Sequence, residues 1–575
     1  MVVSNRQTIA CQQAPPFVTA PVSVSLSPDP YDPNPSFFRR HADYVSAVSV
    51  AVLTVVLAVV SFPPFHTPEF AYAMLIPGVF WAYTKPRLKL FAWTMFAAQA
   101  VAWTIILGWL HHVTWGGLLL LGPFVGAWIG TWYLAAWWTM PRMVGRPTLT
   151  RLVGLVGLAG TWVLIEWSRT WLLGGFPWLP LSASQWERAS ILQIAAFTGG
   201  YGVSFVLVAM NLGFAAMAHS LVIEHQTGWN LRRPEFMFGL FLLMLCVSVQ
   251  VQEMFNRQRY SVPLGRISFV QPYIPQEVKW DQAKAQGILD ILESTTLKAG
   301  ETRPDLILWP EASTPFAVRG DASAQAFAES LAARAHTPLL LGSVVIENPG
   351  AANERWYNGA LLVTPGGGVQ KDFYAKRQLV PFGEFVPLRP IFGWLSKFVP
   401  IGGDFERGLE AAPLVMPLKE NPAVFGPLVC YEDIFPQLAR GSVRSGAEVL
   451  AVLTNSAWYG EGGAAYQHAA HAVLRAVETR RPVVRCGNGG WSGWIDEFGG
   501  VRSVVTNDAG SIYFRGTRTV TVTRDKRWIG QASVYVQYGD WFVLACVGAV
   551  LLGVGALALS PPAAKKQTDS NSLSR

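Results

Sequence analysis

Long apolar stretches dominate about the first 250 residues of the chain and return near its C-terminal end. Each stretch is close to the roughly 20 residues that a helix needs to cross a bilayer. The pattern predicts eight membrane-spanning helices, at about 44–63, 69–84, 89–110, 115–140, 151–173, 190–218, 235–252 and 540–560. For the shorter stretches, above all the second, the alternative is a helix buried inside the protein.

The region between the seventh and eighth stretches has a different pattern. Short apolar runs rich in β-branched residues recur there, at Arg266–Val270, Asp305–Trp309, Pro338–Ile346, Gly359–Thr364, Pro427–Cys430, Val449–Thr454 and Pro482–Arg485. Helical patterns lie between some of them, at Asp281–Leu297 and Ser323–Ala335. Strands that alternate with helices are typical of an α/β domain.

These patterns predict the domain organisation of the whole chain. A tail rich in Pro and Ser, predicted to be disordered, occupies residues 1–43. Seven membrane helices follow in 44–252, the α/β domain occupies 253–539, the eighth helix lies at 540–560, and a second tail ends the chain at 561–575.

Positive charges fall in every second loop between the predicted helices. They are Arg39 and Arg40, then Lys85, Arg87 and Lys89, then Arg142, Arg146 and Arg151, and then Arg232 and Arg233. Short cytoplasmic loops carry such an excess of Lys and Arg. The pattern therefore predicts that the N-terminus and both tails are cytoplasmic, and that the α/β domain lies on the outer face of the membrane.

Composition excludes several function classes. Only 14% of residues are charged and 51% are hydrophobic, which is unusual for a soluble protein. The net charge is +8, but no basic patch with interleaved aromatics accompanies it, so we expect no nucleic-acid partner. The five cysteines form no C-x-x-C pair, and no His/Cys cluster has metal-ligand spacing, so we expect neither a disulfide framework nor a metal site.

Three polar residues end or follow strand-like runs in the α/β domain: Glu311, Lys376 and Cys430. A partly exposed cysteine thiol can attack an acyl carbonyl and form a thioester. Glu311 is the candidate base, on the expectation that burial raises its pKa, and Lys376 is the candidate partner of the oxyanion. The alternative for Cys430 is a buried core cysteine. These three residues leave hydrolysis and acyl transfer equally open.

A loop after the fifth predicted helix places Arg169 among tryptophans at the outer membrane boundary. Such tryptophans commonly anchor a protein in the interface. Arg169 could bind a lipid phosphate there, or its side chain could simply extend towards water.

Several motifs together resemble the nitrilase superfamily and, more closely, the apolipoprotein N-acyltransferase family within it. They are Gly175-Phe176-Pro177-Trp178, Ile274-Pro275-Gln276 with Lys279-Trp280, Trp309-Pro310-Glu311, Tyr374-Ala375-Lys376, the run from Leu379 to Pro387, Cys430-Tyr431-Glu432, and the run from Thr454 to Gly460. The resemblance covers about residues 44–560. It implies an integral-membrane helical bundle of eight transmembrane helices, joined to a nitrilase-like α/β domain built as an αββα sandwich.

The resemblance also implies a reaction without a cofactor. Cys430 would take the sn-1 acyl chain of a phospholipid, typically phosphatidylethanolamine, and pass it to the α-amine of a diacylglyceryl apolipoprotein. Glu311 would be the base and Lys376 the oxyanion partner. The resemblance further implies substrate-binding or supporting roles for Trp280, Asn358, Glu384, Tyr431, Glu432, Asn455 and Trp458, and for Arg169, Gly175 and Phe176 on the membrane side. The enzyme would lie in the bacterial inner membrane, with its catalytic domain in the periplasm.

Three positions depart from the pattern of that family. Tyr273 stands where Asn is usual, Ser456 where Asp is usual, and Gly489 where Thr is usual. They leave the acyl and acceptor preference open. The segment 387–408, with Trp394 and Phe398, is interpreted either as a helix packed on the domain or as an apolar arm that controls lipid entry. The alternatives to the acyltransferase are a membrane-tethered amidase and a non-catalytic membrane scaffold.

Overall fold

The computed structural model describes residues 37–224, 233–386, 393, 405–419 and 422–559. The chain divides into two compact units, Met1–Val45 and Ser46–Arg575, and every site discussed below lies in the second. The predictions for residues 1–36, for the tail 561–575 and for most of the segment 387–408 lie outside the described residues.

Seven helices in the described part of the chain are long and apolar enough to cross a membrane. They belong to α1 (Phe37–Val60), α3 (Leu88–Ile106), α4 (Trp115–Met143), α5 (Thr148–Ser168), α8 (Gly200–Val222), α9 (Pro234–Tyr260) and α15 (Trp541–Leu559). The shorter α2 (Ile76–Tyr83), α6 (Ala189–Leu192) and α7 (Ala195–Thr198) complete this region. The predicted bundle of long apolar helices is confirmed, whereas the predicted number of eight is not.

The second predicted span, 69–84, is not among these seven helices, and the sixth, 190–218, is long and continuous only from Gly200. A 3-10 turn at Pro68–Tyr72 precedes α2, which has only 8 residues. A helix of that length rises about 12 Å, against about 30 Å for a hydrocarbon core. Pro77 explains the break, because proline has no N–H group and is tolerated in the first turn of a helix but not in its interior.

This broken segment nevertheless runs the full depth of the bundle. Before it, Pro63 accepts a hydrogen bond from the α/β domain, as does Ile106 at the far end of α3. Because α3 begins at the opposite end, the chain between Pro63 and α3 has to run from one end of the bundle to the other. In its middle, Asn211 of α8 accepts from Leu75 N at 2.9 Å and donates to Ala71 O at 2.8 Å. These bonds satisfy backbone groups that an apolar surrounding would leave unpaired.

The α/β domain contains two six-stranded sheets. The first has the order β12-β1-β2-β3-β4-β5 and the second the order β11-β10-β9-β8-β7-β6. The strands are β1 (Ser261–Gln271), β2 (Leu306–Leu308), β3 (Leu339–Glu347), β4 (Arg355–Thr364), β5 (Gly368–Ala375), β6 (Leu414–Met416), β7 (Ala423–Val429), β8 (Val449–Asn455), β9 (Val483–Asn488), β10 (Gly493–Ile495), β11 (Val501–Val504) and β12 (Gly516–Asp525). Pairs β1–β2, β2–β3, β7–β8 and β8–β9 are parallel, so each sheet is mixed.

Helices cover the outer face of each sheet. They are α10 (Ala285–Glu301) and α11 (Ala322–Arg334) on the first, and α12 (Pro436–Arg444) and α13 (Gly463–Thr479) on the second, with α14 (Val534–Tyr538) leading into α15. Phe269 and Leu308 of the first sheet share a core with Phe425 and Leu453 of the second. This layering is the predicted αββα sandwich.

The second sheet is continuous with the membrane bundle. Val452 of β8 and Val473 of α13 belong to the same buried core as Trp178 and Leu207 of the bundle. Helix α13 is therefore buried on both sides, between a sheet and the membrane segments. The carboxyl ends of β7 and β8 lie close to this junction.

Candidate active site

Strand ends from both sheets bring the three predicted residues together. Glu311 follows β2, Lys376 follows β5 and Cys430 follows β7. Lys376 Nζ lies 3.2 Å from Glu311 Oε1 and 2.8 Å from Glu384 Oε1. Asn358 Nδ2 donates to the same two oxygens, at 2.8 and 2.7 Å. A lysine and an amide thus hold two carboxylates at one point between the sheets.

Cys430 occupies a sharp turn at the end of β7. Its φ of +56° lies in the left-handed region, which is costly for a residue with a Cβ atom. Thr454 Oγ1 donates to Cys430 Sγ at 3.7 Å. The residue is only 4% exposed, so the prediction of a partly exposed thiol is wrong. Cys430 is a buried cysteine with charged neighbours, because the charges of Glu311 and Lys376 both act on the pKa of its thiol.

Glu432 ties the Cys430 turn to the Lys376 strand. Its buried carboxylate accepts hydrogen bonds from four donors: Val429 N at 2.7 Å, Arg377 N at 2.6 Å, Gln378 N at 3.1 Å and Tyr374 Oη at 2.8 Å. Tyr431 Oη donates to Leu379 O at 2.7 Å in the same region. These bonds fix the nucleophile's backbone relative to Lys376.

The charges around Glu311 favour its ionised form. Burial by itself raises the pKa of Glu311, but the positive charges of Lys376 and Lys279 outweigh burial, and the resulting pKa is lower than usual. The expectation of a raised pKa is therefore wrong. Burial also lowers the pKa of Lys376, but Glu311 and Glu384 hold it well above its usual value. Glu311 and Lys376 are thus both charged at neutral pH.

Cys430 is held in its neutral form. Burial raises the pKa of its thiol to about 12, and the carboxylate of Glu311 adds to this effect. A neutral thiol is a weak nucleophile until a base removes its proton. Glu311, ionised and within reach of the thiol, can serve as that base.

The structure adds two residues that were not among the predicted site residues. Lys279 is buried, its Nζ donates to the carbonyl oxygen of Glu311 at 3.2 Å, and burial lowers its pKa to about 8. Burial holds the pKa of Tyr459 well above its usual value, and the neighbouring Cys430 adds to this effect. Both stand inside motifs that were recognised, beside Trp280 and Trp458, but sequence alone does not tell which of two neighbours faces the site.

Asn455 joins the site from the end of β8. Its backbone N–H donates to Glu311 Oε2 at 3.1 Å, and its side chain donates to Gln276 Oε1 at 2.7 Å. Trp280 and Trp458, by contrast, are 52% and 41% exposed. Their indole rings therefore lie towards solvent rather than among the buried polar groups.

The departures from the family pattern lie close to Asn455. Asn488 Nδ2 donates to Asn455 Oδ1 at 2.9 Å, and Gly489, which follows it, has a φ of +66° that a β-branched residue would adopt only with strain. Ser456 Oγ is buried without a hydrogen-bond partner in the described part of the chain. Tyr273 Oη donates to Glu461. All three departures therefore change the surroundings of the site and leave its charged centre intact.

The membrane-side loop packs directly on the nucleophile's turn. A Cβ atom on Gly175 would come within 3.0 Å of Phe435, and Gln378 Nε2 donates to Gly174 O at 3.2 Å. Arg169 is buried, and its guanidinium donates to Trp178 O at 2.5 Å and to Phe176 O at 3.3 Å. Arg169 thus shapes this loop from within.

Comparisons with known proteins agree with this geometry. Residues 55–213 match the apolipoprotein N-acyltransferase N-terminal domain, and residues 266–533 match the carbon-nitrogen hydrolase domain. An apolipoprotein N-acyltransferase of Geobacter metallireducens is 31% identical over 520 residues, which cover 88% of this chain and 94% of that protein. The chain belongs to the apolipoprotein N-acyltransferase family.

Other members of the family are about equally distant. The apolipoprotein N-acyltransferase of Pseudomonas putida is 29% identical over 77% of this chain and 81% of its own length.

A crystal structure of an amidase from Nesterenkonia sp. aligns with 49% of this chain and 96% of that chain, at 18% identity and a TM-score of 0.35. Within this chain, the match to the N-terminal domain at residues 55–213 precedes the match to the carbon-nitrogen hydrolase domain at residues 266–533.

Proposed function

We propose that this chain transfers the sn-1 acyl chain of a phospholipid, phosphatidylethanolamine, to the N-terminal α-amine of a diacylglyceryl apolipoprotein. The names of its relatives support a lipoprotein acceptor. The observation that carries the lipid donor is the contact between the membrane-side loop and the turn of Cys430, through Gly175 and Phe435. A donor that enters from the membrane reaches the thiol along this loop.

In the first half of the reaction, Glu311 takes the proton of the Cys430 thiol. The thiolate attacks the ester carbonyl of the phospholipid, and Lys376 stabilises the oxyanion that forms. The carbon–oxygen bond to glycerol then breaks, and Glu311 returns the proton to the leaving oxygen. The products are a thioester on Cys430 and a lysophospholipid.

In the second half, the α-amine of the acceptor attacks the thioester. Glu311 takes a proton from the amine, Lys376 again stabilises the oxyanion, and the carbon–sulfur bond breaks. The thiolate leaves and receives from Glu311 the proton taken from the amine, and an amide remains on the acceptor. Asn358 and Glu384 act in both halves by holding Glu311 and Lys376 at fixed positions. Tyr431, Glu432 and Asn455 fix the loops that carry these groups.

Mass spectrometry of the full-length protein in detergent tests this proposal. After incubation with phosphatidylethanolamine, we expect a hydroxylamine-labile acyl group on Cys430 that a diacylglyceryl-cysteine peptide removes and water does not. Cys430→Ala should acquire no such group. An adduct that water discharges would favour a membrane-tethered amidase, and the absence of any adduct with any phospholipid would favour a scaffold.

We also propose that the protein lies in the bacterial inner membrane with its α/β domain in the periplasm. The alternating loop charges support this orientation, as does the broken segment that runs the depth of the bundle. The four described cysteines are buried, so new ones can report on exposure. A membrane-impermeant maleimide should label Asn353→Cys in intact spheroplasts but not Lys89→Cys. If only Lys89→Cys were labelled, the orientation would be the opposite of the one proposed.

A further inference from the structure

One glutamine of the α/β domain forms four hydrogen bonds to the membrane region. Gln467, on α13, is 3% exposed. Its Nε2 donates to Ile106 O at 2.9 Å and to Pro63 O at 3.0 Å. Its Oε1 accepts from Trp178 Nε1 at 2.9 Å and from Trp109 Nε1 at 3.0 Å. A side-chain amide has two N–H donors and one oxygen with two lone pairs, so Gln467 is fully satisfied.

The four partners of Gln467 come from three parts of the bundle. Pro63 follows α1, Ile106 ends α3, Trp109 lies in the 3-10 turn after α3, and Trp178 lies in the loop after α5. A single side chain therefore fixes the relative positions of these segments and of α13. Because Gln467 is almost fully buried, each unmade bond would leave a buried polar group unpaired.

The same tryptophans form a wall beside the nucleophile. The ring of Tyr459, a neighbour of Cys430, is 4.6 Å from that of Trp109, 6.4 Å from that of Trp178 and 6.5 Å from that of His468, between ring centroids. The residue after Gln467, His468, hydrogen-bonds Asp433 at 2.7 Å, in the turn that begins at Cys430. Gln467 is thus connected to the thiol through packed rings on one side and through α13 on the other.

We propose that Gln467 is a positioning residue for the acylation of Cys430. It holds Trp109 and Trp178 in the wall of aromatic rings, past which a donor from the membrane reaches the thiol. This inference rests on the proposed function, and it assigns to Gln467 no contact with the reacting atoms. A displacement of about 1 Å at a site of this kind can reduce a rate on the order of 10²-fold.

The chain offers a matched control in Gln193, which also joins the bundle to the α/β domain. Gln193 is buried, its Nε2 donates to Phe498 O at 2.9 Å, and its Oε1 accepts from Arg480 at 2.6 Å. None of these partners belongs to the turns that carry Cys430 and Tyr459. Gln193→Met and Gln467→Met therefore each remove a side-chain amide, at two different junctions between the same two domains.

The experiment compares three readouts on the full-length protein in detergent. They are acylation of Cys430 by phosphatidylethanolamine, alkylation of Cys430 by iodoacetamide, and hydrogen–deuterium exchange of residues 105–113 and 176–180. For Gln467→Met we expect acylation to fall by at least about tenfold, alkylation to stay within about threefold, and exchange in both segments to increase. Gln193→Met should acylate within about threefold of the parent protein. Iodoacetamide is small and soluble, so its reaction does not depend on access from the membrane.

Each other outcome overturns the inference or the proposed function. Normal acylation in Gln467→Met, an equal loss of acylation and alkylation, or an equal loss in Gln193→Met would each overturn the positioning role. A parent protein that acquires no acyl group from the phospholipid would overturn the proposed function instead. Exchange would then still decide whether Gln467 fixes the wall, since unchanged exchange in Gln467→Met would show that it does not.

Discussion

Replacing Glu311 by glutamine tests whether this carboxylate is the base or only a neighbour of the nucleophile. The thiol of Cys430 has a pKa raised to about 12, first by burial and then by the charge of Glu311. At about pH 7.5, such a thiol is ionised in only about 3 of 10⁵ molecules. Glu311→Gln removes a charge that disfavours the thiolate, so the pKa of Cys430 should fall.

The two roles of Glu311 therefore predict opposite changes. If the thiolate forms without a base, Glu311→Gln should increase the rate of acylation because more thiolate is present. If Glu311 takes the proton, the rate of acylation in the variant should fall by about 10²–10⁴-fold, the usual contribution of general base catalysis. We expect the loss. We also expect the midpoint of the pH profile of iodoacetamide alkylation to move to lower pH, since alkylation follows the thiolate population.

The assay is the rate at which Cys430 acquires an acyl group from phosphatidylethanolamine, followed by intact-protein mass spectrometry. Glu384→Gln is the matched control, because Glu384 contacts the same lysine with one oxygen, while its other oxygen accepts from Val380 N at 2.8 Å. We expect a smaller loss in that variant. Acylation of Glu311→Gln at or above the rate of the parent protein would refute the assignment of the base.

Three further substitutions test the surroundings of the site and of the bundle. Lys279→Met removes a positive charge that lowers the pKa of Glu311, so this pKa should rise and the acidic limb of the pH–rate profile should move to higher pH. Glu432→Ala leaves several buried donors without an acceptor, and we expect denaturant unfolding to show a loss of roughly 3 kcal/mol or more, from about 1–3 kcal/mol for each unsatisfied group. Asn211→Leu leaves the N–H of Leu75 unpaired, and a thermal melt in detergent should show a destabilisation of about 1–3 kcal/mol.

Conservative variants provide the controls for these three. Lys279→Arg keeps the charge and should keep the pH profile, so an equal shift in both variants would contradict the electrostatic explanation. Glu432→Gln keeps one acceptor oxygen and should lose less stability than Glu432→Ala. Thr94→Val removes a hydroxyl that bonds within its own helix, and a loss equal to that of Asn211→Leu would argue against a special role of the broken segment.

Much of the candidate site was predictable because it follows strand ends. Glu311, Lys376 and Cys430 each follow a strand-like run that the sequence already shows. Their strands, β2, β5 and β7, belong to two different sheets, so only the packing of the sandwich brings these strand ends together. The directions of the pKa shifts were not predictable. They depend on burial and, for Glu311, on Lys376 and Lys279, which are 65 and 32 residues away along the chain and meet Glu311 only in the folded domain.

The membrane region shows the same division. The long apolar runs predict helices because every backbone polar group must be paired in a bilayer, and a helix pairs its own. The break in the second predicted span could be suspected from Pro77, but its stability depends on Asn211, about 140 residues away along the chain. No local sequence pattern predicts such a partner.

The sequence by itself determined the class of the protein, the positions of the long helices, the alternation of strands and helices, and the residue types able to transfer an acyl group. These properties follow from the local periodicity of apolar residues and from the short motifs at strand ends. Only the tertiary structure decided that Glu311 is ionised beside a neutral thiol, that Arg169 lies inside its own loop, and that Gln467 joins three membrane segments behind the nucleophile. Charge state and hydrogen-bond partners depend on burial and on groups distant in the chain, and folding alone brings those groups together.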